Sequence, residues 1–197
     1  MRLLIFNKLQ ELNDMAKTLI LIRHAKSSWS PYKRDNFIGD DHARPLNKRG
    51  KLAAASMASH LGATIGTVDQ VFSSSATRAT QTCKRIILNV RTIRKPLIKN
   101  DLYTFESEKL LNFIRGISNN LNKVIVIGHN PAIQKLSNYL ITPDSIDKDS
   151  SSISEKYPTC GVANIQIRCA QWAQLAEKCG YLINFLTPGK ILFTLRF

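Results

Sequence analysis

Three short stretches of the chain place a cation or an imidazole directly after an apolar run. Arg23-His24 follows Leu19-Ile20-Leu21-Ile22, Arg78 closes Ser73-Ser74-Ser75-Ala76-Thr77-Arg78 after Val68 to Ser73, and His129 stands in Gly128-His129-Asn130-Pro131 after Val124 to Ile127. Short aliphatic runs cut off by polar residues predict buried strands of a parallel sheet. The first side chains past such strands stand at their carboxyl ends, where open α/β sheets hold ligands. Guanidinium forks bind oxyanions bidentately, and a neutral imidazole serves as nucleophile or proton carrier. Arg78 and Pro131 also fall at predicted helix starts, whose unpaired N–H groups suit a phosphate. Three sheet exits converging on one face therefore point to an anion-binding site with a nucleophile in it.

The elements that must position these residues alternate along the chain. Ala54, Met57, Ala58, Leu61 and Ile65 recur at helical spacing, with Gly62 and Gly66 marking the end. Ala79, Cys83, Ile86, Ile87 and Val90 line a second helix, and Leu110, Ile114, Ile117 and Leu121 a third. Leu97 to Leu102 reads as a short strand, and Ile133, Leu136 and Leu140 as a helix with Pro131 in its first turn. Thr142 to Pro158 has no apolar periodicity and reads as a surface loop. Gly161 to Arg168 alternates as a half-exposed strand near the sheet edge, and the tail is extended in pieces with Pro188-Gly189 as a turn. Strand–helix alternation predicts a three-layer α/β/α sandwich with a mostly parallel central sheet. Residues 1–17 read as an N-terminal extension, with Met15 a second possible start, and residues 18–197 as one domain.

Bulk properties narrow the classes. At 197 residues the chain suits one domain with a real core. Its apolar runs are only a few residues long, too short for a membrane helix or a signal-peptide core. Cys83, Cys160, Cys169 and Cys179 are widely spaced without a C-x-x-C pair, which argues for reduced cysteines in a cytoplasmic protein and against a zinc site. The net charge of +14 favours anionic partners. The basic residues are scattered, without the Lys/Arg block or Gly-aromatic signature of a nucleic-acid binder.

The ordered set Arg23-His24-Ala25-Lys26-Ser27, Arg44-Pro45-Leu46-Asn47-Lys48-Arg49-Gly50, Ser74-Ser75-Ala76-Thr77-Arg78-Ala79-Thr80-Gln81-Thr82 and Val126-Ile127-Gly128-His129-Asn130-Pro131 resembles the histidine phosphatase superfamily. Within it, these motifs are similar to the small SixA-type phosphohistidine phosphatases, as are Tyr157-Pro158-Thr159 and the Trp172 region. The similarity runs from about residue 18 to about residue 188. Ala25 stands where much of the wider superfamily has Gly, a substitution common in the SixA-type branch.

The resemblance implies a phosphoglycerate mutase-like fold and no cofactor or metal. It implies that His24 attacks phosphorus to form a transient phosphohistidine, with Arg23, Arg78 and His129 around the phosphoryl group. Electrostatics adds that His24 must be neutral to attack while His129 is more useful protonated, so the site is expected to separate their pKa values. Ser27 and Asn130 are expected to be further phosphate donors. Arg44 and Arg49 are read as loop-packing residues with Asp41 as a charge partner, His42 as a loop residue and His60 as a helix-surface residue. Glu106 and Glu108 lie where other branches carry a catalytic carboxylate, and each also suits a plain helix-start charge. A departing imidazole needs less acid help than an alkoxide, so the missing acid favours phosphohistidine on a partner protein, such as a histidine phosphotransfer-type domain. The alternatives are a small phosphorylated metabolite at the same site, or a non-catalytic phosphate or nucleic-acid binding module.

Overall fold

A computed structural model of the chain describes residues 17–29, 40–143 and 150–194. Six strands form one sheet: β1 (Lys17–Arg23), β2 (Gln70–Ser74), β3 (Leu97–Lys99), β4 (Lys123–Gly128), β5 (Val162–Ile167) and β6 (Gly180–Leu186). Their order across the sheet is β3-β2-β4-β1-β5-β6. The first four in sequence are mutually parallel, and β5 and β6 run antiparallel at one side.

Among the described residues six α-helices cover the sheet: α1 (Lys48–Thr64), α2 (Thr77–Ile86), α3 (Ser107–Arg115), α4 (Ala132–Leu140), α5 (Ser150–Glu155) and α6 (Pro188–Thr194). The strict alternation of side chains along a strand divides the core in two. Leu19 and Leu21 of β1 join Leu110, Ile114, Ile133 and Leu136 from α3 and α4 on one face. Ile20 and Ile22 join Met57, Leu61, Ala79, Ile86 and Ile191 from α1, α2 and α6 on the other. This is the three-layer α/β arrangement expected. It explains the unbroken aliphatic runs of β1 and β4, which are buried on both sides.

Register supplies the site's ruler. Arg23 of β1 lies beside Gly128 of β4, and Ser73 of β2 beside Ile127. His24, His129 and Ser74, one step further along three neighbouring parallel strands, therefore emerge together. The His24 N–H donates to the Gly128 carbonyl at 3.0 Å.

Several local expectations need correction. Lys17 already belongs to β1 and is buried, its Nζ donating to Asn119 O and Asn122 Oδ1. Residues 1–16 lie outside those described. β5 is an inner strand, with β6 covering its outer edge, so it is more deeply buried than its alternation suggested. Pro188 opens α6 in place of a turn, its fixed φ being suited to a helix start. The segment read as a surface loop contains α5, whose Ile153 is buried against the α4 face. Leu97 to Leu102 splits into β3 and a 3-10 turn, and α3 ends at Arg115, capped by Gly116.

The Arg44–Gly50 motif acts on the loop after β1. Asn47 caps α1 by accepting from Gly50 N at 2.8 Å, while its own N–H donates to Lys26 O at 3.0 Å. The approach is so close that a Cβ on Gly50 would collide with the Lys26 carbonyl oxygen. Gly50→Ala should therefore destabilise the protein by about 2 kcal/mol or more, measured by denaturant unfolding. A wild-type midpoint would show that the contact is not rigid.

Candidate active site

Arg78, buried in the first turn of α2, is the hub of the site. Its Nε donates to His24 Nε2 at 3.2 Å and its Nη2 to His129 Nδ1 at 3.3 Å. Its Nη1 donates to the Asp41 carbonyl at 2.6 Å, and Nη2 also pairs with Asp41 Oδ2 at 2.9 Å. A guanidinium can only donate, so both facing imidazole nitrogens present lone pairs.

The opposite ring nitrogens agree with this assignment. His24 Nδ1 lies 2.8 Å from the Ala25 carbonyl, an acceptor, so Nδ1 carries the proton and Nε2 is the free base. His129 Nε2 lies 2.8 Å from Ser74 Oγ and donates to it. The two rings sit with centroids 5.1 Å apart.

Both imidazoles are held neutral. Burial, aided by the charges of Arg78, Arg23 and Arg44, lowers His24 to about 3 against the opposing Ala25 hydrogen bond. Burial, then the nearby His24 and Arg78, lowers His129 to about 2. The expected division into a neutral nucleophile and a protonated partner is therefore absent from the free site. Both rings share one buried cation, which opposes a second positive charge on either.

Arg23 is fixed from the far side, its Nη1 donating to the Tyr157 carbonyl at 2.6 Å. Its Nε is buried without a hydrogen-bond partner among the described residues. Tyr157 is itself locked, donating to Leu21 O at 2.7 Å and accepting from Ala163 N at 2.9 Å. The Ala25 N–H is held by Thr82 Oγ1 of α2 at 3.0 Å, and Cys160 N donates to both Arg23 O and His24 O. Helices and strands on both sides thus clamp the His24 backbone.

Above these groups opens a cavity of about 590 Å³ lined by Arg23, His24, Ser27, Arg78, Asn130 and Asp41, among others. Ser27 Oγ accepts from Arg44, and Asn130 is oriented by Gln134 Oε1 at 3.0 Å. Arg44 pairs with Asp41 at 2.7 Å, as its position suggested, and stacks on Trp29 with the guanidinium carbon 3.5 Å from the ring centre. Arg49 is exposed on α1, and His60 lies half-buried on the same helix. Glu106 and Glu108 stand outside the cavity. Glu106 is exposed and pairs with Lys109, while Glu108 lines a separate hollow beside Arg115 and Lys135.

Sequence reasoning named Asp41 only as a charge partner of Arg44 and Arg49, and missed its link to Arg78 and the part of Tyr103. Asp41 accepts from Arg78, Arg44 and the Tyr103 hydroxyl together. Burial pushes its carboxyl up, but the Tyr103 hydrogen bond and the two guanidiniums prevail and hold it below the usual range. Tyr103 packs edge-on to His129 and His42, and His42 Nε2 lies 2.8 Å from Ser75 Oγ. Among the described residues no three His, Cys, Asp or Glu side chains converge as metal ligands.

The carboxyl ends of inner parallel strands, carrying a base-form imidazole among guanidiniums, suit the handling of an oxyanion, and the comparisons with known proteins carry the assignment further. Residues 19–102 match the histidine phosphatase superfamily (branch 1) family model. An uncharacterized protein of Mycobacterium tuberculosis is 30% identical over 168 residues, covering 85% of this chain and 99% of the relative. An uncharacterized chloroplastic protein of Arabidopsis thaliana is 29% identical over 171 residues, covering 82% of this chain and 71% of the relative. A candidate phosphohistidine phosphatase SixA from Nakamurella multipartitia superposes with a TM-score of 0.71 at 24% identity, covering 88% of this chain and 96% of that one. The protein histidine phosphatase SixA complexed with tungstate gives 0.66 at 17% identity, covering 88% and 99%. The chain belongs to the histidine phosphatase superfamily.

The neutral imidazoles have a consequence for stability. The unfolded chain takes up protons at His24 and His129 near pH 6.5, whereas folded His24 resists until about pH 3. The unfolded state therefore binds more protons across that window, and stability falls as pH drops through it. Thermal unfolding should show a lower Tm at about pH 5 than at about pH 7.5, with a shallower fall in His24→Asn/His129→Asn. An identical slope in that variant would contradict the assignment.

Proposed function

We propose that this protein is a phosphohistidine phosphatase of the SixA type, working through His24 on a phosphorylated protein. Phosphatase chemistry is the class its superfamily defines. The substrate and the residue roles are our reading of the site.

The supporting observation is the state of the cavity's carboxylate. Among the described residues Asp41 is the single carboxylate lining the cavity, and its two arginines and Tyr103 keep it ionised. It is a poor proton donor for an alkoxide leaving group. A phosphorylated imidazole whose far ring nitrogen carries a proton leaves as a neutral heterocycle, so it needs no acid from the enzyme. The site is thus better matched to a phosphoramidate than to a sugar phosphate.

In this reading the Nε2 lone pair of His24 attacks phosphorus as the N–P bond to the substrate's imidazole breaks. Arg78 Nε, which holds that lone pair in the free site, turns its N–H to a phosphoryl oxygen. Arg23, with its unpartnered Nε, binds a second oxygen. Charge spreading over the equatorial oxygens meets preset donors, the dominant requirement of phosphoryl transfer. An anion arriving beside His129 opposes the effects that lower its pKa and favours its protonated form. Water then attacks the phosphoryl group on His24, the N–P bond breaks, and inorganic phosphate leaves with the lone pair restored.

Substrate carrying labelled phosphate should leave acid-labile, base-stable label on His24. His24→Ala should lose turnover by at least roughly a thousandfold. Unchanged turnover in that variant would overturn the mechanism, and a preference of orders of magnitude for a small phosphate ester would overturn the substrate class.

A further inference from the structure

Beside the phosphoryl cavity lies a second one of about 500 Å³, and the two share Arg23, Lys26 and Thr159. Three chain segments bring four cations to it: Arg23 at the end of β1 with Lys26 in the following loop, Arg49 in the first turn of α1 and Lys156 after α5. In the neighbouring cavity Arg44 and Arg78 are compensated by Asp41. Here, among the described residues, no carboxylate oxygen lies within 4.0 Å of Lys26, Arg49 or Lys156. Like charges gathered without a counterion repel one another, and an anion in the cavity relieves that repulsion.

We propose that this basic trough is a second subsite that takes acidic side chains flanking the phosphorylated residue of a protein substrate. The proposal deepens the phosphohistidine reading and rests on it. Two features favour a protein surface over the second phosphate of a small molecule. Lys26, Arg49 and Lys156 are exposed rather than closed around a fixed point, so they suit carboxylates spread over a surface. Around the neighbouring cavity stand Trp29 and Phe105, 56% and 45% exposed, the type of aromatic that anchors protein contacts. A single substrate surface can meet the aromatic and cationic sides while its phosphoryl group enters between them.

The test uses two phosphohistidine peptides differing only in flanking residues, three Glu in one and three Gln in the other. Wild type should prefer the Glu peptide by about tenfold in kcat/KM at low salt, carried by KM and lost as salt rises. In Arg49→Gln/Lys156→Gln the preference should vanish. Turnover of p-nitrophenyl phosphate, which has no second anionic group, should stay within about twofold and so report intact folding and chemistry. No preference in wild type, or equal losses on both peptides in the variant, overturns the proposal. A variant that loses affinity for a small bisphosphate while keeping the peptide preference overturns it too.

Anisotropy of a fluorescent, unphosphorylated Glu peptide separates this claim from the phosphohistidine reading. Salt-sensitive binding, weakened about fivefold in the double variant, supports the subsite even if neither phosphopeptide is hydrolysed. In that case the function assignment alone fails. Absence of binding by wild type overturns the subsite.

Discussion

A single buried guanidinium organises the candidate active site of this protein. Arg78 is 1% exposed, and burying a cation costs several kcal/mol unless charge and hydrogen bonds offset it. Asp41 supplies both, through its carboxylate and its own carbonyl. Two further N–H bonds of Arg78 point at two imidazoles and admit only lone pairs there. The cation that would bind a phosphoryl oxygen thus also dictates which nitrogen of His24 is a base. It keeps that nitrogen unprotonated with no carboxylate behind the ring, since the Ala25 carbonyl accepts a hydrogen bond from the Nδ1–H.

The backbone around this hub is overdetermined, as a preset site requires. Parallel register brings three strand ends to one line. Thr82 holds Ala25 from one layer, Tyr157 holds Arg23 from the opposite one, and Gly50 lets α1 close on Lys26. Each anchor is local and inexpensive. Together they leave the His24 ring little freedom, as the proposed attack on phosphorus requires.

The inner site was legible in the sequence because strand termination is a strong signal. Four aliphatics followed by Arg-His state both a buried strand and what stands at its end. The motif from Arg44 to Gly50 was visible, but its purpose was not: only the packed Lys26 carbonyl explains why residue 50 lacks a side chain. Tyr103 carries no spacing signal and Asp41 none beyond its nearness to Arg44, since Asp41 reaches Arg78 across 37 residues and Tyr103 reaches Asp41 across 62. The antiparallel placement of β5 was hidden for a related reason, since alternation reports burial on each face and not direction. The pKa division expected between His24 and His129 was argued from the roles given to the two rings and not from their surroundings. Without an anion, burial and Arg78 act on both rings in the same sense.

The most direct test of this account is the protonation state of the two rings in the free protein, read by nitrogen-15 NMR of the histidine side chains. The account predicts His24 as the Nδ1–H tautomer and His129 as the Nε2–H tautomer, both still neutral at about pH 5, well below the ordinary imidazole value. An imidazolium at either position near pH 6, or a proton on His24 Nε2, would contradict it.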